Sequence, residues 1–245
     1  MIGSHLSKYL AENGFDVVIL SRNKNPASAN PKISYSYWNV KDKVIDKEVV
    51  KKADHIVHLA GAGVMDKKWT DDYKKKIEES RTKSAELILS CLKEGEHQIK
   101  SFVSASAIGW YGADPKLPAK NEPFIESDMP SKDFLGETCV LWEASVEPVT
   151  AMGIRLVKLR TGIVLSNKGG AFKEYKTPLK FGLASILGSG KQIVSWIHID
   201  DLCRMYLEGI KNNYLHGSYN AVAPEPVSEK KINPSLGQKI GEKIF

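Results

Sequence analysis

Two spacings of apolar residues alternate along the chain. Ile2, Leu6 and Leu10 recur at helical spacing and stop at Asn13-Gly14, so the pattern predicts an opening helix. Residues 15–20 (FDVVIL) form a short apolar run between Gly14 and the polar cluster that starts at Ser21, which predicts a buried strand. The same alternation continues with strands at residues 54–59, 101–106 and 155–165 and helices at about 71–94 and 134–152. Such an order predicts an α/β fold: a doubly wound parallel sheet with helices on both faces. Residues 112–133 carry four prolines and no period, and read as a long loop.

Composition narrows the class without changing that picture. At 245 residues, 42% hydrophobic and 26% charged, the chain has enough apolar material for one large domain, which excludes disorder and a disulfide scaffold. No apolar run reaches membrane-spanning length, so no membrane partner is expected. Cys91, Cys139 and Cys203 are odd in number and far apart, so no CxxC metal or redox site is expected, and cytoplasmic residence fits. The net charge of +6 comes from 35 Lys and Arg against 29 Asp and Glu, but Lys74–Lys76 stand beside Asp71, Asp72, Glu78 and Glu79. Positive charge is balanced locally rather than gathered into a stripe, which argues against a nucleic-acid partner.

In an open parallel sheet, ligands sit beyond the carboxyl ends of the strands, so each exit was read for chemistry. Gly3, in the first turn of the opening helix, is either a phosphate-cradle residue or a site of close packing. His55 and His58 form an HxxH, but on a strand they face opposite ways and cannot share an ion, so no metal is expected. Residues 187–191 (LGSGK) lack the first glycine of a phosphate loop and read as a flexible loop. His198, Asp200 and Asp201 precede an apolar helix, and the Asp pair reads as its N-cap, with His198 structural.

Eight motifs in order carry a resemblance: residues 2–6 (IGSHL), 21–23 (SRN), 58–62 (HLAGA), 104–112 (SASAIGWYG), 134–143 (FLGETCVLWE), 160–165 (RTGIVL), 195–201 (SWIHIDD) and 220–224 (NAVAP). Together they resemble the atypical extended short-chain dehydrogenase/reductases, in the epimerase-family branch often labelled nucleoside-diphosphate-sugar epimerase-like or cell-division-inhibitor-like. The resemblance implies a Rossmann-type dinucleotide-binding core over residues 1–165. A small C-terminal substrate-side region over 166–245 returns to the core around 193–223. It also implies a strand and two loop glycines upstream of Gly3, placed between the strands at 15–20 and 54–59, and a continuation past residue 245.

The implied cofactor is NADP rather than NAD, because Ser21-Arg22 stands where an acid would accept the NAD ribose, and Arg22 suits the extra phosphate. The other implied cofactor contacts are Gly3, Leu59, Ala60, Gly61, Ser104 and Arg160, the last of which alternatively caps a buried carboxylate. Trp38-Asn39-Val40 marks either the adenine side or a strand end with a packed Trp. The wider superfamily's Tyr-x-x-x-Lys is absent: Leu135 and Cys139 occupy its positions, and Tyr37 to Lys41 is a chance match. Ser106 is the expected active-site hydroxyl, bonding a substrate oxygen. Tyr111 is the expected proton donor, or alternatively an aromatic that closes the loop. The expected partner is a small polar substrate, either free or linked to a nucleotide; the other reading is a non-catalytic NADP(H)-binding sensor.

Overall fold

The computed structural model describes residues 1–24, 27–113, 123–167 and 193–228. The sequence expectations for residues 187–191, for the loop segment 114–122 and for the end of the chain lie outside them.

Helix α1 (Ile2–Glu12) buries Leu6, Leu10 and Ala11, and the chain turns at Gly14, whose φ of +96° suits a residue without Cβ. Strand β1 (Val17–Ser21) pairs in parallel with β2 (Ile33–Tyr37). After the short helix α2 (Lys47–Lys52) comes β3 (His55–His58), followed by the long helix α3 (Asp71–Lys93), which Thr70 caps by accepting from the Tyr73 N–H. Strand β4 (Ser101–Ala107) runs into a 3-10 turn (Ile108–Tyr111), and α4 (Phe134–Val146) is capped by Asp133. The helix expected over 134–152 tightens to a 3-10 turn at Glu147–Met152. Pro148 has no N–H to continue the α ladder.

The strand expected over 155–165 is two strands. Strand β5 (Arg155–Thr161) lies between β4 and β9 (Gly217–Ala221), whereas β6 (Ile163–Leu165) leaves that sheet to pair with β8 (Trp196–His198). The switch falls on Gly162, where an added Cβ would sit 2.5 Å from the Ser195 carbonyl oxygen. Strands β7 (Ile193–Val194) and β10 (Val227–Ser228) form an antiparallel pair. Helix α5 (Ile199–Lys211) precedes β9, and its N-cap is His198, whose Nδ1 accepts from the Asp200 N–H. This corrects the expected Asp cap: Asp200 and Asp201 occupy the first turn, where their charge favours the positive end of the helix dipole.

The sheet β3-β4-β5-β9 is parallel throughout and carries helices on both faces, as the alternation predicts. On one face, Val103, Val157, Leu159 and Ala221 pack with Leu6 and Leu10 of α1 and with Leu202, Tyr206 and Ile210 of α5. On the other, Phe102 and Leu156 pack with Ile88, Leu89 and Leu92 of α3 and with Val146. Strands β1 and β3 share no ladder. A cleft of about 1800 Å³ lies between them, lined by residues 17–20, residues 54–59 and α1.

Candidate functional site

Alternate residues of the central strands change character along one face. Toward the strand starts this face is apolar, with Phe102 and Leu156. Toward the carboxyl ends it carries Ser104 and Ser106 on β4, Lys158 and Arg160 on β5, and Ser218 and Asn220 on β9. Helix α4 lays Glu143 across that polar row. Glu143 accepts from Arg160 Nε at 2.8 Å and Nη2 at 3.2 Å, from Ser106 Oγ at 2.8 Å and from Ser218 Oγ at 3.1 Å. Lys158 Nζ stands 3.8 Å from the same carboxylate. Burial alone would raise the Glu143 carboxyl, but the hydrogen bonds from Arg160 and Ser106 outweigh it and hold the group below the usual carboxylate range. Of the two readings of Arg160, the structure shows the buried-carboxylate cap.

Arg160 extends the network outward. Its Nη1 donates to the Tyr111 hydroxyl at 3.1 Å and to the Glu126 carbonyl at 2.9 Å, and its guanidinium lies 3.7 Å from the centre of the Trp110 ring. The Tyr111 hydroxyl donates to Asn220 Oδ1 at 2.7 Å, and its ring stacks on Phe124 with centroids 4.9 Å apart. Residues 124–128 are tied down by Asn220, whose N–H donates to Glu126 Oε1, and by Trp110 Nε1, which donates to the Asp128 carbonyl. Tyr111, at the exit of β4, is thus half-buried with its oxygen held between a guanidinium and an amide.

The expected residues divide into two groups. Ser106, Tyr111 and Arg160 meet in this one network. Ser106 is only 2% exposed, and its hydroxyl is turned to Glu143 instead of toward the open exit, so it reaches Tyr111 through Glu143 and Arg160. Ser104 is buried with its hydroxyl on the Ala105 carbonyl. The second group lies around α1. Gly3 packs in ordinary contact with Leu59, an added Cβ there meeting Leu59 Cδ1 at 3.8 Å, which brings the α1 N-terminus to the β3 exit at Leu59, Ala60 and Gly61. Ser21 Oγ accepts from the Asn23 N–H, and Arg22 is exposed beside it at the β1 exit. Trp38 packs against the α3-side core, and Asn39 closes a turn by accepting from the Lys41 and Asp42 N–H groups.

A dinucleotide fits this second group. No acidic residue stands in the first turn of α1, whose dipole favours an anion at that end. No cluster of three or more His, Cys, Asp or Glu able to hold an ion occurs among the described residues. The two histidines of β3 face apart as expected. His55 bonds Ser101 Oγ at 2.8 Å, and His58 bonds Ser84 Oγ at 2.8 Å on the α3 side. Among the described residues no helix is long and apolar enough to cross a membrane.

His58 carries a pH prediction. Burial, with a smaller push from the Arg81 charge, lowers its imidazole from 6.5 to about 4. The unfolded chain therefore binds a proton that the folded chain refuses between those values, so stability is full above pH 6.5 and falls as pH drops toward 4. The expected loss is roughly 3 kcal/mol. Urea unfolding from pH 7 to 4 checks this, and His58→Gln should remove that part of the slope.

Glu143, Glu126, Ser218 and Asn220 received no role from the sequence alone. Glu143 and Arg160 sit on different elements, and no spacing rule joins them. The one legible signal is the recurrence of polar residues every second position at three strand exits.

The sequence pattern of the NAD dependent epimerase/dehydratase family matches residues 1–221. An epimerase family protein of Staphylococcus saprophyticus is 36% identical over 231 residues, covering 91% of this chain and 72% of the relative. One from Mycobacterium leprae is 29% identical over 240 residues, covering 98% of this chain and 74% of its own length. Among solved structures, a nucleoside-diphosphate sugar epimerase from Corynebacterium glutamicum superposes with a TM-score of 0.80 at 31% identity, over 99% of this chain and 48% of that one. A human epimerase family protein solved with NADPH superposes with a TM-score of 0.81 at 24% identity, over 98% of this chain and 77% of that one, and shares the fold.

Proposed function

The chain belongs to the NAD dependent epimerase/dehydratase family, and from that premise we propose that it is an NADP-dependent oxidoreductase or epimerase acting on a small polar, nucleotide-linked substrate. The observation that carries the reading is the Tyr111 hydroxyl, held 3.1 Å from the Arg160 guanidinium at the exit of β4. Supporting the cofactor assignment are the α1 N-terminus and Arg22 at the β1 exit, together with the human relative of the same fold that was solved with NADPH.

In this reading the nicotinamide, when bound, supplies hydride transfer, and the chain's own residues handle the proton. Tyr111 exchanges a proton with a substrate hydroxyl or carbonyl oxygen. The guanidinium of Arg160 donates to the tyrosine oxygen, standing where a lysine stands beside the tyrosine in the Tyr-x-x-x-Lys pair. Asn220 Oδ1 fixes the direction of the Tyr111 O–H. Ser106 and Glu143 are positioning residues that hold Arg160 in place. Gly3 and the β3 exit at Leu59, Ala60 and Gly61 make room for the dinucleotide, and Ser21 with Arg22 receives its 2′-phosphate.

A specific observation favours the second reading, a non-catalytic NADP(H)-binding sensor. Cys139, at the superfamily's lysine position, is buried with its thiol pushed up to about 11 by burial, and it donates weakly to the Ala107 carbonyl at 3.5 Å. It carries no positive charge to replace the lysine. The two readings separate on turnover: carbonyl compounds are incubated with the protein and NADPH, and nucleotide sugars with the protein and NADP+, following the cofactor's oxidation state and sugar interconversion. Turnover of any panel member supports the enzyme, and tight NADPH binding with no turnover across the panel favours the sensor. Arg22→Ala is expected to weaken NADPH binding by about tenfold or more while leaving NADH nearly unchanged. Equal losses for the two cofactors in competition titration contradict the phosphate role of Arg22.

A further inference from the structure

A second buried arginine has no counter-ion among the described residues. Arg81, on α3, is 8% exposed and makes no ion pair within 4 Å among the described residues; its Nη1 donates to two carbonyls, Ala62 at 3.1 Å and Ile77 at 2.7 Å. Its guanidinium lies 4.8 Å from the Trp142 ring centre on α4. Burial is the dominant influence on it, and the only charges that favour its ionised form are the weak ones of Cys139 and Tyr73. A buried cation held only by carbonyls and a ring is costly, because no opposite charge offsets its desolvation.

The placement says where an anion would enter. An added Cβ on Gly61 would stand 3.1 Å from Arg81 Cζ, so the bare backbone of Gly61 is what admits the guanidinium beneath the β3 exit. The neighbouring Ala62 N–H is fixed by Ser80 Oγ at 2.8 Å, so the loop and the arginine are held together from α3. Arg81 keeps 8% of its exposure and lies against Gly61, just past the carboxyl end of β3, the side of the sheet on which ligands bind.

We propose that Arg81 is the cationic wall of an anion subsite at the β3 exit, receiving a phosphate or carboxylate of the bound ligand. This rests on the dinucleotide reading for its location, though not for its chemistry. The anion belongs either to the cofactor or to the substrate.

The test compares the wild-type protein with Arg81→Met and Arg81→Lys, using NADPH and inorganic sulfate as probes. Removing an uncompensated buried charge should leave the melting temperature of the ligand-free Arg81→Met protein unchanged or higher. If the anion is the cofactor's, Arg81→Met weakens NADPH by at least about tenfold, and Arg81→Lys loses less. If it is the substrate's, NADPH binding is unchanged, and sulfate raises the melting temperature of the NADPH-loaded wild type but not of the loaded Arg81→Met protein. Should NADPH fail to bind the wild type at all, the dinucleotide reading fails, and Arg81-dependent stabilisation by sulfate alone still decides the subsite. A fall in ligand-free stability with both probes bound equally by wild type and Arg81→Met overturns the proposal and makes Arg81 a clamp on the Ala62 loop.

Discussion

Glu143→Ala is expected to destabilise the fold by about 3–5 kcal/mol, the cost of leaving a buried charge unpaired. The side chain accepts four hydrogen bonds from Arg160, Ser106 and Ser218 at 5% exposure, and Arg160 is itself only 3% exposed. Alanine leaves the guanidinium with the Tyr111 hydroxyl, the Glu126 carbonyl and the Trp110 ring. None of these carries a full negative charge. Joint replacement by Glu143→Leu and Arg160→Met should recover much of the loss, because the pair's attraction roughly offsets its desolvation. Urea denaturation of the single and double variants measures the coupling. A single-variant loss under about 1 kcal/mol would mean that water already reaches the network.

Tyr111→Phe is expected to lower turnover by roughly 10²- to 10⁴-fold while leaving NADPH affinity nearly unchanged. The change removes one oxygen, and that oxygen is where the network from Glu143 through Arg160 ends. Its structural cost should be small: the ring keeps its stacking on Phe124, and the lost hydrogen bonds are worth about 1 kcal/mol each. Asn220→Ala provides the comparison, since it removes the acceptor that orients the hydroxyl and leaves the proton in place. A turnover within twofold of wild type in Tyr111→Phe would reduce Tyr111 to an aromatic that closes the loop at Phe124.

The fold was legible where period and punctuation agree. Helix α1 with its stop at Asn13-Gly14, helix α3 after Thr70 and the β-branched strands all carry local signals strong enough to place them. Helix α2 escaped because six residues are too few to show a period. The break at Gly162 escaped for a different reason: the apolar run continues through it, and only the approach of the Ser195 carbonyl forces the chain into another sheet.

The site was legible in its members more than in its bonds. The motifs brought Ser106, Tyr111 and Arg160 into view, yet the carboxylate that joins them lies 17 residues from Arg160 on a helix and 37 from Ser106. Such a pairing is set by the register of β4 against β5 and by the rotation of α4, neither of which local spacing encodes. The same reason hid Arg81, which on sequence alone is one basic residue among many on a charged helix. His198 shows the opposite error. The Asp pair after it carried the stronger capping propensity, and the imidazole took the cap because it stands one residue before the helix begins.

Calorimetric titration of NADPH and NADH into the protein asks whether the strand exits of this sheet hold an NADP-type dinucleotide. Saturable binding at one site per chain is expected, with NADPH tighter than NADH by about tenfold or more. Absence of binding by both cofactors would contradict that expectation, leaving an epimerase-family fold whose α1 N-terminus and Arg22 serve no dinucleotide.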